Sequence, residues 1–206
     1  PTDNRLLEIA RYQLVKAAKA VGIKFKQTYA TEGKGLRRKA AGYAHAKQFR
    51  RLKRALRRQR TIVGIVIREI ERKLAQLRLE QSVLLEKLTT LLHRAQRLVQ
   101  QKPKDKNKLY ALHAPEVECI GKGKARQPYE FGVKAGFAIT HKKGLIVGAR
   151  TFPGNPFDGH TLAEQLEQTR ILIEDHGTSP KQVYVDLGYR GVDHANPDVE
   201  IIHRGK

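Results

Sequence analysis

Near its end the chain reads Val183-Tyr184-Val185-Asp186-Leu187-Gly188-Tyr189-Arg190-Gly191. A short apolar β run delivers Asp186 to a glycine-containing turn, and α/β sheets hold phosphate and metal ligands at the carboxyl ends of their strands. Asp also starts turns by accepting hydrogen bonds from its own backbone, so a purely structural role for Asp186 stays open. The stretch predicts an α/β sheet with Asp186 at its edge, as a metal ligand or as a turn former.

The elements around this strand follow from hydrophobic periodicity. Apolar side chains alternate with small or polar ones from Tyr129 to Thr140, which predicts a strand with one buried face. Thr161 and Glu164 form the pattern of a capping box, which predicts the start of a helix, and Gly177 predicts its end. The predicted strands cover residues 129–139, 145–151, 182–186 and 199–203.

The first half of the chain is predicted to be helical. A first helix is expected to end at Gly22, residues 28–35 are predicted to form a loop, and residues 36–101 contain no proline. Between Phe49 and Leu98, apolar residues recur at spacings of three and four, which predicts a coiled-coil-like helix or an antiparallel helical hairpin. Such a stripe can pack within one chain or across a homo-oligomer, so both arrangements stay open.

Positive charge is concentrated in this helical half. The 206-residue chain has a formal net charge of +21, and residues 1–108 hold all of it, with 29 Lys and Arg against 8 Asp and Glu. A one-signed stripe repels itself unless a polyanion binds, which predicts a nucleic-acid backbone as the partner. An anionic membrane surface and a merely solvated helix face are the alternatives. The predicted DNA contacts are Lys47, Arg50, Arg51, Arg54, Arg57, Arg58 and, beside Asp186, Arg190.

Composition also argues against several classes of protein. The sequence has no apolar run of about 18 residues and no signal peptide, which predicts neither a membrane span nor export. Cys119 is the only cysteine, so an internal disulfide or a cysteine-based zinc site is not expected, and a reducing cytoplasmic location is predicted. The glycines and lysines at 121–124 lack the spacing of a nucleotide-binding P-loop.

Five strings of the chain carry a family resemblance: His113-Ala-Pro-Glu-Val-Glu118, Tyr129-Glu-Phe-Gly132, Pro153-Gly-Asn-Pro-Phe-Asp-Gly-His160, Val185-Asp-Leu-Gly-Tyr-Arg-Gly191 and Glu200-Ile-Ile-His-Arg204. They resemble the bacterial insertion-sequence DDE transposases. The regions Pro1–Leu6 and Tyr43–Phe49 are similar to the same group, so the resemblance covers nearly the whole chain. It implies a mixed α/β fold: a partial ribonuclease H-like catalytic domain that carries a long basic helical insertion at its N-terminus. The implied parts are a DNA-binding insertion at 1–101, a linker and extended loop at 102–128, and a partial catalytic core at 129–206.

The resemblance implies an activity, DNA transposition. In this family three carboxylates hold two Mg²⁺ or Mn²⁺ ions, of which one activates water or a 3′ hydroxyl and the other stabilises the leaving oxygen. Asp186 matches the second carboxylate. The first Asp is expected before Pro1 and the catalytic Glu after Lys206. The metal ions are therefore expected only in the intact catalytic domain, and this polypeptide is expected to be catalytically incomplete.

Alternatives to this reading remain. Glu116 or Glu118 could replace the first Asp, whereas Asp158 is expected to cap or fix its loop. The chain could also be a non-enzymatic nucleic-acid-binding protein or a ribonuclease H-like nuclease.

Overall fold

The protein combines helices with small sheets and divides into two compact units. The structure is a computed structural model and describes residues 3–76, 82–102, 104–121, 128–191 and 196–203. The units are Pro1–Val117 and Glu118–Lys206. The mixed α/β composition predicted from the sequence is confirmed. Of the predicted basic loop at 121–124, only Gly121 lies within the described residues.

The described part of the first unit contains four helices. Gly22 takes a φ of 87° directly after the first helix and confirms its predicted end. The long helical stretch predicted at 36–101 is divided into separate helices, because the chain turns back after His45 and again after Leu74. The helices are α1 (Asp3–Ala20), α2 (Ala30–His45), α3 (Phe49–Leu74) and α4 (Val83–Gln100).

The loop predicted at 28–35 is wrong over most of its length, because α2 begins inside it. Gly33 suggested a loop, but it serves close packing: a Cβ at this position would lie 2.2 Å from Glu8 Oε2 and 2.8 Å from Arg11 Nε. Glu8 and Arg11 form a buried ion pair at 2.7 Å. Arg11 Nη1 also donates to the Thr28 carbonyl oxygen at 2.8 Å. Glycine therefore lets α2 lie directly against this ion pair.

The apolar stripe of α3 packs within the chain. Its residues join α1 and α4 in one buried cluster, and α2 packs against α3 as a helical hairpin. The stripe of α3 is therefore covered by other helices of the same chain. The buried apolar residues of α3 are Ala55, Ile62, Val63, Val66, Ile67 and Ile70.

Part of the predicted linker contributes to this same core. Leu109 and Leu112 are buried with the helices. The Gln101 side chain accepts a hydrogen bond from Leu109 N at 2.9 Å and donates one to the Leu109 carbonyl oxygen at 3.3 Å. Arg94 Nη1 donates to the Leu112 carbonyl oxygen at 2.6 Å. These bonds fix the segment after α4 against the helical unit.

The second unit consists of short strand pairs and one helix. Strands β1 and β2 are antiparallel, as are β3 and β4, whereas β5 and β6 are parallel. In the described chain each of the three sheets has two strands. The elements are β1 (Glu118–Gly121), β2 (Tyr129–Gly132), β3 (Lys134–Ile139), β4 (Ile146–Phe152), α5 (Leu162–Ile173), β5 (Gln182–Val185) and β6 (Glu200–His203).

The single strand predicted at 129–139 is wrong in two respects. It forms two strands with different partners, and its large apolar side chains do not make the buried face. Phe137 is 60% exposed and Ile139 is 58% exposed. The opposite face packs on α5 because its residues are small: a Cβ at Gly148 would lie 2.5 Å from Thr169 Oγ1. Close approach of a helix therefore decides which face is covered.

The predicted capping box does not form. Thr161 Oγ1 instead donates to the Asp158 carbonyl oxygen at 2.7 Å, and the Glu164 carboxylate pairs with Arg150 at 2.5 Å. A short 3₁₀ turn at 158–161 therefore leads into α5. Gly177, with a φ of 59°, confirms the predicted end of this helical segment. The small core consists of Leu162, Leu166, Val199 and Ile201.

Candidate nucleic-acid interface and carboxylate site

The exposed face of α3 carries arginines whose side chains are accessible to solvent. Arg50, Arg54 and Arg57 follow one another at helical spacings of four and three, on the side away from the buried stripe, and all three are exposed. Within the described ranges none of the three has an ion-pair partner. Lys47, in the link between α2 and α3, is exposed as well. These predicted contacts thus lie along one accessible surface.

Two other predicted DNA contacts, Arg51 and Arg58, interact with side chains of α2 or of the link that follows it. Arg51 donates to Gln48 Oε1 at 3.1 Å, and its Cζ lies 6.0 Å from the centroid of the Tyr43 ring. Arg58 makes two hydrogen bonds to the Glu32 carboxylate, at 2.6 and 3.0 Å. These bonds lower the pKa of Glu32 and raise the pKa of Arg58. A phosphate that bound Arg58 would therefore compete with Glu32.

Sequence reasoning missed Phe49, which it assigned to the apolar stripe. Phe49 is the first residue of α3, and its side chain is 59% exposed. It lies in the hairpin tip, residues 44–51, where every residue is exposed. The signal that could have identified it is its position: Lys47, Arg50 and Arg51 surround it in sequence, whereas core residues of α3 start only at Ala55.

Asp186 ends β5 and starts a 3₁₀ turn at 187–189. Its Oδ1 accepts a hydrogen bond from Gly188 N at 2.8 Å, which is the turn-forming role that the sequence allowed. Its side chain is nevertheless exposed and borders a cavity. One carboxylate oxygen can therefore hold the turn while the other faces the cavity.

A second carboxylate lies close to Asp186. A Cβ built on Gly188 would be 2.7 Å from Asp158 Oδ2 and 3.0 Å from Asp186 Oδ1, so the two carboxylates approach each other across this glycine. Lys134 Nζ contacts Asp158 Oδ1 at 2.7 Å and also bonds to the Pro156 carbonyl oxygen. Asp158 therefore fixes its loop to β3, and Lys134 offsets its charge.

The remaining candidate residues lie apart from one another. Arg190 is exposed just after the turn, whereas the neighbouring Tyr189 packs against the apolar core beneath α5. Glu118 is the first residue of β1 and pairs with Gly132. Across the described ranges, no cluster of three or more His, Cys, Asp or Glu side chains is close enough to hold a metal ion. Asp186 can thus supply one oxygen ligand to a divalent cation, and the described residues do not complete the set.

The cavity beside Asp186 has a volume of about 850 Å³. Residues 136–140 of β3 and its following turn border it on one side, and residues 182–186 border it on the other. Gln165 and Thr169 of α5 also line it. Within the described chain, β6 adds no residue to the lining and β4 adds only Val147, so the edges of β3 and β5 that face the cavity have no described strand beside them.

Comparisons with known proteins identify no relative of this chain. No protein-family model, no curated protein and no solved structure matches the chain. Among the described residues, no helix combines the length and apolar character needed to cross a bilayer.

Proposed function

We propose that the chain is the DNA-binding and partial catalytic region of an insertion-sequence DDE transposase, which acts on double-stranded DNA. The observation that carries this proposal is the exposed arginine face of α3. Arg50, Arg54 and Arg57 have no ion-pair partner in the described structure, and the segment around them carries no acid from Gly33 to Arg68. Neutralisation by a phosphate backbone relieves the repulsion that such a face creates.

This surface is suited to position DNA without reading its sequence. Arginine presents planar, forked donors that match phosphate oxygens, and successive residues of one helix face can follow one strand of the duplex. Contacts of this kind fix the register of a protein on DNA but carry no base specificity. The helical unit therefore acts as a general clamp in this proposal, and the recognition of element ends falls to other contacts.

The second unit supports the catalytic part of the proposal. An antiparallel hairpin, a helix that packs on both β4 and the β5–β6 core, and a strand ending in Asp186 follow in the order that a ribonuclease H-like domain has. The cavity between the unpaired edges of β3 and β5 offers room for one further strand. In the proposed domain that strand carries the first Asp and brings it beside Asp186.

Metal chemistry would enter at Asp186. Mg²⁺ demands near-octahedral oxygen ligands and is commonly shared among carboxylates, phosphates and water. Asp186 supplies one carboxylate oxygen in this proposal, and the bound ions would activate the attacking oxygen and stabilise the leaving one. The exposed position of Asp186 at the cavity is what such a role requires.

The DNA-binding part is tested by charge reversal on α3. In the triple variant Arg50→Glu, Arg54→Glu, Arg57→Glu, we expect weaker binding to any duplex, because three phosphate contacts are lost. The slope of log affinity against log salt should become shallower by about 2 to 3, since each phosphate contact contributes about 0.9. Fluorescence anisotropy with labelled duplex between about 50 mM and about 200 mM salt measures this slope.

A matched control separates local contacts from net charge. The variant Lys19→Glu, Lys104→Glu, Lys106→Glu makes the same change in charge at exposed positions of the same unit. It should retain most of the salt slope. An equal loss of slope in both triple variants, or an unchanged slope in the α3 variant, would show that DNA does not contact this face.

A binding protein without catalytic chemistry is the second candidate. The exposed arginine face of α3 supports it as well, because DNA binding alone requires no metal ligands. The DNA that flanks the gene distinguishes the two candidates. Terminal inverted repeats, with an upstream strand bearing Asp and a downstream helix bearing Glu in frame, support transposition. A ribonuclease H-like nuclease would lack the inverted repeats.

A further inference from the structure

The hairpin tip, residues 44–51, combines an aromatic side chain with dense positive charge. Phe49 is 59% exposed at the start of α3, and Lys47, Arg50 and Arg51 are exposed around it. Tyr43 stands at the end of α2 with the Arg51 guanidinium over its ring. The tip therefore presents a planar apolar ring between groups that bind phosphate.

Phe49 belongs to neither buried apolar cluster of the described residues. The first buried residue of α3 is Ala55, and the buried apolar cluster of the helical unit does not include Phe49. Transfer of an aromatic side chain out of water is favourable, so its exposure leaves that free energy available to a partner. Since cations surround the ring, the partner that fits is a polyanion with flat apolar groups.

We propose that Phe49 stacks on a nucleobase that is unpaired or unstacked in the bound DNA, while Lys47, Arg50 and Arg51 hold the adjoining phosphates. The inference rests on the proposed DNA binding and adds a substrate class to it: duplexes with a locally opened step. Aromatic side chains stack on bases with about 1–3 kcal/mol per base, whatever the base is. Inside an intact duplex the base faces are already stacked, so an opened step gives the ring its site.

An anionic membrane would also attract a basic tip with an aromatic residue. A single inserted side chain is a weak anchor, because stable membrane association takes a larger apolar area or a second signal. Leu52 and Leu56, the next large apolar residues of α3 after Phe49, are only partly exposed, and Leu56 packs against the helical core. Nucleic acid is therefore the occupant that this surface favours.

The first experiment compares two DNA probes. One is a uniform duplex, and the other is the same duplex with a short central run of mismatched bases. The wild-type chain should bind the mismatched probe about 5- to 100-fold more tightly, which is the range that stacking on one base provides. Phe49→Ala should abolish this preference, so that both probes bind with similar affinity, whereas Phe49→Tyr should retain the preference. Circular dichroism should show equal helix content in all variants.

The second experiment detects the stacking itself. The chain contains no tryptophan, so Phe49→Trp introduces a single tryptophan, whose emission can be followed apart from that of the tyrosines. Its emission should be quenched by the mismatched probe and much less by the uniform duplex. Tyr12→Trp is the matched control, because Tyr12 is 55% exposed on α1 of the same unit, and its emission should respond weakly to both probes.

The outcomes separate the two proposals. If neither probe binds, the proposed DNA binding fails and this inference fails with it. If both probes bind with steep salt dependence but Phe49→Ala keeps the preference, DNA binding stands and the stacking role is overturned. If Phe49→Ala changes only binding to phosphatidylserine vesicles, the tip is a membrane contact, which also overturns it.

Discussion

Gly33 and Gly35 lie two residues apart in α2, and the structure gives them opposite roles. A Cβ at Gly33 would collide with the buried pair of Glu8 and Arg11, whereas a Cβ at Gly35 would meet no atom within 4 Å. Glycine costs a helix about 0.5–1 kcal/mol relative to alanine when nothing requires it. The same substitution should therefore change stability in opposite directions at these two sites.

We expect Gly33→Ala to lower the free energy of unfolding by about 2–4 kcal/mol, because the Glu8–Arg11 pair must move or break. Gly35→Ala should raise it by about 0.5–1 kcal/mol. Urea denaturation followed by circular dichroism at the helix minimum measures both changes. Equal effects of the two substitutions would contradict the close approach of α2 to α1.

At the scale of the single residue, the sequence predicts which side chains carry charge or form turns better than it predicts their distant partners. The positive charge of Arg58 was evident, but its two bonds to Glu32 join residues on different helices. The turn-forming bond of Asp186 was predictable, because the partner Gly188 is two residues away. The approach of Asp158 to Asp186 was not, since it depends on how two loops meet. Local bonds follow from sequence, and long-range ones need the fold.

At the scale of the element, β3 shows what periodicity can and cannot determine. Strict alternation correctly predicted extended chain, because side chains of a strand point to opposite faces in turn. It also suggested that the larger apolar side chains are buried, and this was wrong. Gly136 and Gly148 make the flatter face, and α5 approaches that face through Gln165 and Thr169. Which face a helix covers depends on shape as well as on hydrophobicity.

The uncovered face of the β3–β4 hairpin should make the chain self-associate. Phe137 and Ile139 are exposed beside an unpaired strand edge, which is a surface that tends to pair with further copies. We expect Phe137→Thr together with Ile139→Thr to shift the chain toward monomer and to change the free energy of unfolding by less than about 1 kcal/mol. Sedimentation velocity across a concentration series measures the association.

Phe152→Thr is the matched control for this prediction. Phe152 lies in the same hairpin but is buried, so its replacement should cost about 3 kcal/mol or more and should increase association through partial unfolding. A double variant at 137 and 139 that associates as strongly as the wild type would show that this face is not the contact.

At the scale of the whole molecule, sequence reasoning identified the charge asymmetry and the mixture of helices and strands. It could not determine where the two compact units divide, between Val117 and Glu118, because Leu109 and Leu112 look like part of a linker until their burial is seen. Nor could it predict that α5 packs against both the β3–β4 pair and the β5–β6 pair. These features arise from contacts between distant segments, which hydrophobic periodicity does not encode.

In the proposed mechanism, catalysis requires the complete set of three carboxylates. We expect the purified polypeptide to show no nicking of supercoiled DNA with Mg²⁺ or Mn²⁺, because Asp186 alone cannot place two ions. Agarose gel electrophoresis of plasmid after incubation checks this. Metal-dependent nicking by the wild type that Asp186→Asn abolishes would contradict the expectation and would show that this chain holds a sufficient set of ligands.

The sparse interior of the second unit has a consequence for the fate of the protein in a cell. Leu162, Leu166, Val199 and Ile201 form its small cluster, whereas the helical unit buries a much larger one. A region held by so few contacts opens often, and quality-control proteases and holdase chaperones act on molecules while they are open. We therefore expect the strand-rich half to limit the lifetime of the polypeptide, and a partner that fills the gap between β3 and β5 to lengthen it.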